Sequence, residues 1–447
     1  MTASIRNRDR VRDLCEVFTP TNIVNEMHNL IPDSIWSDPS MIYIEPACGN
    51  GQFLVEAIRM KLENGLTHRE ACTTVIGIDI SQINIDDCHT RIYNVIDSKY
   101  IDIIKENIFL VDDTIQYIKD GKLDIDTDNL IVVGNPPYHL SDSGESASSH
   151  PLYHKFIETC IDYLEPRYMS MIVPSRWMQG GKGLTEFRER MMNDTRIQTL
   201  VDFKKESEVF PDVQIAGGVN YFLWNRDYDG KCEYNGVERY LNNDDHILRN
   251  NDEVSIVNKV TKVHSGLYLN KIVAGRKPFG ITTNFKDWAQ SPLGATRCYY
   301  FDKDIHKVQS DKFVTTFKDK NKILNKWKVC TPYAAGRHQE PMKDGTKKVI
   351  ANIFLIEPDV ICTETYIVVN AFNTKSEADN FISYMNTKTF RFLLGIQMSS
   401  QHVTRKRFNF VPELTYTTPW DDQSLYQLFN LPPDDIKYIE KTITTII

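Results

Sequence analysis

Several features that would define other classes of protein are missing from this sequence. No apolar run approaches the ~20 residues that a helix needs to cross a bilayer, and the opening stretch MTASIRNRDRVRDLCEVFTP lacks the apolar core of a signal peptide. The nine cysteines include no C-x-x-C pair, which argues against a zinc site and a disulfide framework. We therefore expect a cytoplasmic protein with no membrane partner and no bound metal.

An excess of positive charge, the usual mark of a nucleic-acid-binding protein, is also missing, because the net charge is −8. The distribution of charge changes this picture. Residues 1–250 carry about −15, residues 251–447 about +7, and residues 251–410 alone roughly +11. Chance asymmetry is the plain alternative. We interpret the pattern as an acidic domain for a small molecule, followed by a basic domain for a polyanion.

The order of predicted elements indicates an α/β fold in the first half of the chain. Apolar runs read as strands in MIYIEPACGNG, TVIGIDI, NIFLVD, LIVVGNPPY, MSMIVPS and IQTLVDF. Segments with helical spacing alternate with them, which predicts a Rossmann-like, mostly parallel sheet with helices on both faces. SEVFPDVQIAGGVNYFLW predicts an antiparallel hairpin at one edge of that sheet. With 447 residues, two domains are expected, at 1–240 and 250–447, the second of α+β type.

Ligands of open parallel sheets bind beyond the carboxyl ends of the strands, and polar residues stand at these predicted ends. In IYIEPACGNG, Glu45 closes the strand, while Gly49 and Gly51 permit a tight turn into a helix N-terminus. The turn is neither G-x-G-x-x-G nor a P-loop, and an ordinary βα turn is the alternative. Asp79 ends VIGIDI and suits ribose hydroxyls, or else helps to cap the helix that begins near Ser81.

Two adjacent carboxylates, Asp112 and Asp113, follow the next strand in NIFLVDDT. Either can accept a hydrogen bond from an adenine amino group, and the other then serves as a helix cap. We favour Asp112 for the adenine.

The stretch LIVVGNPPYHL ends a buried strand with an amide, two prolines and an aromatic ring. The aromatic amine of adenine is a poor nucleophile, and two hydrogen-bond acceptors on its N–H groups make it a better one. Asn135 offers a side-chain carbonyl, Pro136 offers a backbone carbonyl on a residue with fixed φ, and Tyr138 offers a ring that stacks on a base. A structural turn is the alternative, because N-P is a turn signal.

Taken in order, VFTPTNIVNEM from Val17, EPACGNG, NPPY and the basic second half resemble a known enzyme family. The resemblance is to the S-adenosylmethionine-dependent N6-adenine DNA methyltransferases of restriction–modification systems, in the group with the gamma motif order. It covers roughly residues 15–225, and the second half resembles the family only in position and charge. The resemblance implies adenine-N6 methylation of double-stranded DNA, with a restriction endonuclease as a possible partner.

The resemblance also assigns residues to the cofactor, S-adenosylmethionine. The FTP residues would lie along its methionine end, the Glu45 turn would surround its amino-acid moiety, and Asp79 would hold the ribose with Ile80 against the adenine. The assigned residues are Val17, Phe18, Thr19, Glu45, Ala47, Gly49, Asp79, Ile80, Asp112 and Asn135.

The target-amine site implied by the resemblance is Asn135, Pro136, Pro137 and Tyr138. Phe210, in EVFPDVQ, matches the aromatic that stacks on the other face of the flipped base, with a core position as the alternative. Two rival functions stay open at this point. Glutamine methylation of a protein also uses NPPY, and a degenerate methylase fold can serve as a DNA-binding subunit.

Basic segments supply the predicted contacts to DNA. PSRWMQGGKG offers Arg176 and Lys182 after a strand, and HVTRKRF offers Arg405, Lys406 and Arg407. Phosphate contacts are the natural use of such groups. A solvated charged face is the alternative.

Overall fold

The computed structural model describes residues 18–123, 125–139, 150–181, 183–242, 248–302, 307–334, 342–350, 352–396 and 402–446. The chain divides into two compact units, Met1–Arg249 and Asn250–Ile447. Assigning methyl transfer to the first unit and DNA recognition to the second stays a prediction. Within the described ranges, no helix is both long and apolar enough to cross a membrane.

The first unit is built on one large sheet. Its strands are β1 Ile42–Glu45, β2 Val75–Asp79, β3 Ile108–Leu110, β4 Leu130–Gly134, β5 Tyr168–Pro174, β6 Ile197–Phe203, β7 Val219–Asn225, β8 Cys232–Tyr234 and β9 Val237–Arg239. Among the described residues the strand order is β3-β2-β1-β4-β5-β7-β6-β8-β9. The strands from β3 to β5 are parallel, and β7 runs antiparallel between β5 and β6. This arrangement confirms the predicted α/β class. The predicted hairpin within SEVFPDVQIAGGVNYFLW is wrong in its bounds, because that stretch supplies only β7, whose antiparallel partners are β5 and β6.

Helices cover both faces of this sheet. They are α1 Thr21–Asn29, α2 Asp33–Trp36, α3 Gln52–Glu63, α4 His68–Thr73, α5 Gln82–Tyr93, α6 Ile101–Asn107, α7 Thr114–Lys119, α8 Tyr153–Thr159 and α9 Thr185–Asn193. Successive strand residues point to opposite faces, so Tyr43 joins the apolar core with α1 and α3, and Ile44 joins the core with α8 and α9. The helices predicted after β1, β2, β4 and β5 are confirmed.

The second unit combines smaller sheets with helices, in agreement with the predicted α+β type. Its strands are β10 Thr296–Asp302, β11 Lys307–Val314, β12 Trp327–Pro332, β13 Phe354–Ile356, β14 Val360–Cys362 and β15 Tyr366–Phe372. In the described part, they form the sheets β11-β10-β14 and β13-β12-β15. Its helices are α10 Asn251–Val263, α11 Lys375–Asn386, α12 Lys388–Ile396, α13 Asp422–Leu428 and α14 Pro433–Thr442.

A buried lysine ties together the starts of two central strands. Lys61, on α3, has no exposed surface. Its Nζ donates to the carbonyl oxygen of Met41 at 2.6 Å and to Oγ1 of Thr74 at 2.7 Å. Met41 precedes β1 and Thr74 precedes β2, so this lysine lies at the sheet edge opposite the carboxyl ends of the strands. Burial lowers the pKa of Lys61 to about 8, with Asp38 opposing the shift.

This pKa makes the stability of the first unit depend on pH. Because the pKa in the folded state, about 8, lies below the ordinary 10.5, the unfolded chain binds the proton more tightly. The free-energy cost of burying the charged Lys61 side chain is therefore full below pH 8 and disappears as the pH rises to 10.5. We expect the unfolding free energy of the wild type, minus that of Lys61→Met, to rise across this window by on the order of 3 kcal/mol.

Urea unfolding of both proteins at a series of pH values between these limits measures this difference. Other titrating groups are common to the two proteins and cancel in the subtraction. A difference that stays flat with pH would show that Lys61 keeps its ordinary pKa in the folded state.

Candidate active site

The carboxyl ends of β1, β2 and β4 meet around a cleft with an empty volume of about 860 Å³. These strands are neighbours in the sheet, so their terminal residues and the loops after them lie side by side. The lining residues are Phe18, Thr19, Glu45, Ala47, Cys48, Gly49, Asn50, Gln52, Phe53, Asp79, Ile80, Ser81, Thr114, Asn135, Pro136, Pro137, Tyr138 and Phe156. Residues predicted from distant motifs are thus brought together in one place.

Glu45 places a carboxylate in the floor of this cleft. It is the last residue of β1 and is 2% exposed. Its Oε2 is buried and has no hydrogen-bond partner among the described residues. Burial raises the pKa of Glu45 well above its ordinary value, with Cys88 and Asp79 adding to the rise. A buried, unpaired carboxylate is unfavourable without a cation, so this oxygen suits the ammonium group of a ligand.

The turn after Glu45 depends on its glycines. Gly51 is the N-cap of α3 with φ of 76°, where a side chain would be strained. A Cβ on Gly51 would lie 2.6 Å from Sγ of Cys88, so the approach of α5 also requires glycine. Gly49 has φ of 49° and open space where a Cβ would stand. The turn therefore brings backbone close to any ligand in the cleft.

Asp79 organises the loops on both sides of the cleft. One carboxylate oxygen, Oδ2, accepts from the backbone N–H of Gly49 at 2.8 Å. The other, Oδ1, accepts from the N–H of Ser81 at 2.8 Å and from Nδ2 of Asn84 at 3.2 Å. Ser81 is the N-cap of α5 and makes no side-chain cap hydrogen bond. Asp79 thus supports the start of α5 and lines the cleft as well, so the two predicted roles are compatible.

The structure gives different surroundings to the two carboxylates after β3. Asp113 is the N-cap of α7, and its Oδ1 accepts from the N–H of Gln116 at 3.0 Å. Asp112 is exposed and forms no such cap. It does not appear among the residues that line the cleft, although Thr114 does. The capping role of Asp113 leaves Asp112 as the candidate ligand, as the sequence analysis favoured.

The NPPY residues stand at the end of β4, opposite the N-terminal segment. Asn135 Nδ2 donates to Oγ1 of Thr19 at 3.2 Å, across 116 positions of sequence. Thr19 is buried, so this bond fixes the plane of the amide. Burial raises the pKa of the Tyr138 hydroxyl, and a hydrogen bond with the Asn135 side chain opposes the rise. The threonine of FTP and the amide of NPPY therefore form one unit.

Phe210, the predicted stacking residue, lies in an apolar core of the first unit. Its side chain is 3% exposed and packs in the core that also contains Tyr138. It does not line the cleft, because its backbone N–H bonds to Glu206 and closes a tight turn before β7. The structure favours the core alternative. Phe18 and Phe156, in contrast, present aromatic rings to the cleft.

Sequence reasoning missed Thr114 and Phe156 as cleft residues. Thr114 is the first residue of α7, and Phe156 lies on the buried side of α8. The apolar spacing of α8 predicts a buried phenylalanine, but no local pattern tells which end of the sheet it approaches. The order of the strands in the sheet decides which end of the sheet this phenylalanine approaches.

The predicted DNA contacts differ in their surroundings, and Val17 and Lys182 lie outside the described residues. Arg176 is half-buried after β5, near Tyr153, whose hydroxyl pKa it lowers against the larger effect of burial. Arg405 and Lys406 are exposed in the second unit. Arg407 is 8% exposed, and burial lowers the pKa of its guanidinium. The turn Arg405–Phe408 directs Arg407 inward, so the structure does not support a phosphate contact by this residue, and that contact stays a prediction.

One comparison covers the Asp79 and NPPY parts of the cleft. Residues 73–210 match the model of the Eco57I restriction-modification methylase family. The matched Eco57I-type segment contains Asp79, Asn135, Tyr138 and Phe210. The match confirms the resemblance to restriction–modification methyltransferases that the motifs predict.

A curated relative from Mycoplasma pneumoniae is described as an uncharacterized adenine-specific methylase. It is 32% identical over 108 residues, which are 24% of this chain and 25% of the relative. The aligned part thus spans about a quarter of that relative's length.

Solved structures of low sequence identity also match. A DrdV–DNA complex is 12% identical, with a TM-score of 0.46 over 91% of this chain and 57% of the other. The type IIL restriction-modification enzyme MmeI, in complex with DNA, is 11% identical, with a TM-score of 0.45 over 97% of this chain and 74% of the other.

Proposed function

We propose that this protein is a DNA methyltransferase that transfers the methyl group of S-adenosylmethionine to N6 of an adenine in double-stranded DNA. The observation that carries the proposal is the Thr19–Asn135 pair at the edge of a cleft whose floor holds the unpaired Oε2 of Glu45. One side of the cleft suits an amino-acid ammonium group and the other suits an amine that must be activated. The sequence relatives support the same assignment.

The residues of the cleft fit the chemical groups of S-adenosylmethionine. Glu45 would accept from the ammonium group, because its buried Oε2 lacks a partner among the described residues. Asp79 would accept from ribose hydroxyls with the lone pairs that its loop contacts leave. Ile80, 64% exposed at the cleft, would cover one face of the adenine. Asp112, which does not line the cleft in this structure, is the proposed acceptor for the adenine amino group.

Bound S-adenosylmethionine supplies an electrophilic methyl group on a sulfonium. The protein's task is to make the adenine amine a better nucleophile and to hold it in line. The Asn135 side-chain carbonyl and the Pro136 backbone carbonyl would accept the two N–H groups of the amine, which frees its lone pair from the ring. Thr19 fixes the Asn135 amide, so the acceptor is in place before the base arrives.

The target base would leave the duplex to reach these acceptors, at a cost of a few kcal/mol. Tyr138, Phe18 and Phe156 line the cleft and are the candidate stacking partners for it. Phe210 would reach the base only after a movement of its turn, so its stacking role stays a prediction.

The test is a transfer assay with the full chain, tritiated S-adenosylmethionine and unmethylated bacterial DNA. Single-molecule sequencing of the product identifies the modified base and the sequence around it. We expect N6-methyladenine within one recurring motif. Label that enters protein instead of DNA would favour glutamine methylation, and absence of any transfer would favour the degenerate binding subunit. The resemblance to restriction–modification enzymes leaves a cognate restriction endonuclease as a candidate partner.

Glu45 gives the proposed cofactor site a pH dependence. Because its pKa is raised, the carboxylate is neutral at low pH and becomes charged as the pH rises. We expect the affinity for S-adenosylhomocysteine to increase as the pH rises from the ordinary titration range of a glutamate through the raised pKa of Glu45. Glu45→Gln should bind about 10- to 100-fold more weakly at the upper pH and should lose this pH dependence.

Isothermal titration calorimetry across this range measures both effects. Glu56→Gln is the matched control, because Glu56 is buried on α3 and paired with Arg59 at 3.1 Å, outside the cleft. It should keep the wild-type pH profile. An unchanged profile in Glu45→Gln would remove Glu45 from the proposed site.

A further inference from the structure

A groove in the second unit is lined by cations and by no acid. Its empty volume is about 1100 Å³. Two stretches of chain form it, with Arg276 and Lys277 on the first and Lys318 and Lys320 on the second. Among the described residues that line it, none is an aspartate or a glutamate. We call this feature the cationic groove. Four like charges around a concave surface focus a positive potential there, which attracts anions.

Backbone hydrogen bonds hold the two stretches of the cationic groove together. The N–H of Lys318 donates to the carbonyl oxygen of Phe279 at 3.0 Å. The first stretch turns at Gly280, whose N–H donates to the carbonyl oxygen of Lys277 at 3.1 Å. The cations come from distant parts of the sequence, and the main chain keeps the two stretches side by side. The charge of the groove is therefore a property of the fold.

The carboxylate that lies between the two lysines in sequence is used elsewhere. Asp319 accepts at Oδ1 from the N–H of Ile323 at 3.0 Å and at Oδ2 from the N–H of Leu324 at 2.9 Å. Both oxygens are thus used within their own loop, and Asp319 does not line the groove. Lys318 and Lys320 are exposed and form no ion pair with a carboxylate in the part of the chain that the structure describes. Their charges are therefore available to a ligand.

A second carboxylate reduces the charge of the first stretch only in part. Oε2 of Glu364 lies 3.1 Å from Nε of Arg276 and 3.7 Å from Nζ of Lys277. The Glu364 side chain is 10% exposed, whereas those of the arginine and the lysine are 58% and 47% exposed. One carboxylate thus faces two cations, and the groove keeps an excess of three positive charges. Such an excess suits a polyanion.

The aromatic residues of the groove belong to the core of the second unit. Phe317 packs edge to face with Phe279, with ring centres 6.3 Å apart, and Phe285 packs in the same way with Trp288 at 5.0 Å. All four rings belong to one apolar core or pack against it, and each is buried or half-buried. Proteins that bind single strands offer exposed rings on which bases stack. The groove offers charge without such rings, so it suits a phosphate backbone rather than unpaired bases.

An arginine that the sequence predicts to contact DNA lies beside the cationic groove. Nε of Arg405 donates to the carbonyl oxygen of Val273 at 2.8 Å, just before the first stretch begins at Gly275. Arg405 is exposed, so the positive surface continues beyond the groove. A surface that extends past one pocket fits a long ligand, as a DNA backbone is.

We propose that the cationic groove binds the phosphate backbone of duplex DNA, with Lys318 and Lys320 as its principal contacts. The inference rests on the proposed function, which makes duplex DNA the substrate. Duplex DNA carries one negative charge for about every 1.7 Å of its axis, so several cations of one groove can each meet a phosphate. An ammonium group neutralises a phosphate without a fixed geometry, and the contact positions the DNA without reading its sequence.

Fluorescence anisotropy of the full chain with a labelled DNA duplex, at several salt concentrations, tests the proposal. Lys318→Gln combined with Lys320→Gln should weaken binding by about 10- to 100-fold at low salt. It should also flatten the log–log salt slope by about 1.8, because each neutralised phosphate contributes about 0.9. In the transfer assay, the same variant should raise KM for DNA and keep kcat. Both side chains are exposed, so thermal unfolding should match that of the wild type.

Two further double variants serve as controls. Lys437→Gln with Lys441→Gln removes the same charge from exposed positions of α14, outside the groove. This variant should keep the wild-type salt slope, since charges distant from the DNA are screened. Lys318→Arg with Lys320→Arg keeps the charge of the groove and should bind as the wild type does, since the phosphate contacts depend on charge.

Each binding result bears on the proposal. A wild-type salt slope in the glutamine variant of the groove would overturn it. An equal loss in the α14 variant would overturn it as well, because the effect would then come from net charge alone. Weak binding by the arginine variant would contradict a contact that depends on charge. A single strand that binds at least as tightly as the duplex, with the same loss in the groove variant, would exclude duplex DNA as the preferred ligand.

Methyl transfer gives a separate readout for the proposed function. A wild-type protein that binds the duplex with a steep salt slope and yet methylates no adenine would refute the proposed function and leave the groove as a DNA contact. Normal methyl transfer by the wild type, with an unchanged salt slope in the glutamine variant, would refute the groove alone.

Discussion

Asn135→Ala is expected to lower the rate of methyl transfer by about 100- to 1000-fold, the range seen when one group that stabilises a transition state is removed. The reason is that the amide carbonyl would accept an N–H of the target amine as the nitrogen becomes tetrahedral. Binding of S-adenosylmethionine should change by no more than about threefold, because the interaction is made in the transition state. Single-turnover transfer and calorimetry measure the two effects separately.

Thr19→Val tests how the amide is positioned. Valine keeps the shape of the buried Thr19 side chain and removes the Oγ1 that accepts from Asn135 Nδ2 at 3.2 Å. We expect an intermediate loss, about 10-fold in kcat with little change in KM.

Undiminished transfer by Asn135→Ala would remove Asn135 from the reaction. A loss of kcat in that variant with an equal loss of cofactor affinity would place it in cofactor binding alone.

Arg249→Ala is expected to destabilise the first unit by about 3–5 kcal/mol, because it leaves a buried carboxylate without its counter-ion. The Asp202 side chain has no exposed surface. Its two oxygens accept from Nε and Nη2 of Arg249, each at 2.7 Å. They also accept from the hydroxyls of Ser175 and Tyr234, each at 2.7 Å. Removal of the guanidinium leaves two neutral donors to compensate a full charge.

Arg190→Ala is the matched control for this effect. Arg190 also forms a two-bond pair with an aspartate, Asp162, but the side chains are 31% and 47% exposed. Exposed pairs contribute about 0–1 kcal/mol. Hydrogen exchange followed by mass spectrometry locates the loss, which should fall on peptides of β6 and β7 in Arg249→Ala. Equal, small losses in both variants would show that water replaces the Arg249 guanidinium at Asp202.

The sequence predicted the parts of the site that depend on local patterns. Strand ends were visible because apolar runs stop at Glu45, Asp79 and the NPPY residues, and parallel topology brings such ends to one edge. The Thr19–Asn135 contact was not predicted, because the two residues are 116 positions apart. Local sequence patterns carry no information about a contact between residues so far apart in the chain.

Predictions that depended on exposure were less successful. Arg407 and Phe210 stand in stretches whose composition suits a surface, yet both are buried. A turn of the backbone decides on which side such a residue lies, and neither periodicity nor charge predicts that turn.

The bond between Arg249 and Asp202 also determines how the chain leaves the first unit. Arg249 is the last residue of that unit, and its guanidinium is fixed to β6 and to the carbonyl oxygen of Gly217. The exit of the chain is therefore a fixed anchor point. A chimaera that exchanges the second unit for that of another protein should join after Arg249, so that the first unit keeps its own anchor. A join a few residues earlier would replace this arginine and leave Asp202 with only the hydroxyls of Ser175 and Tyr234 as side-chain partners among those described above.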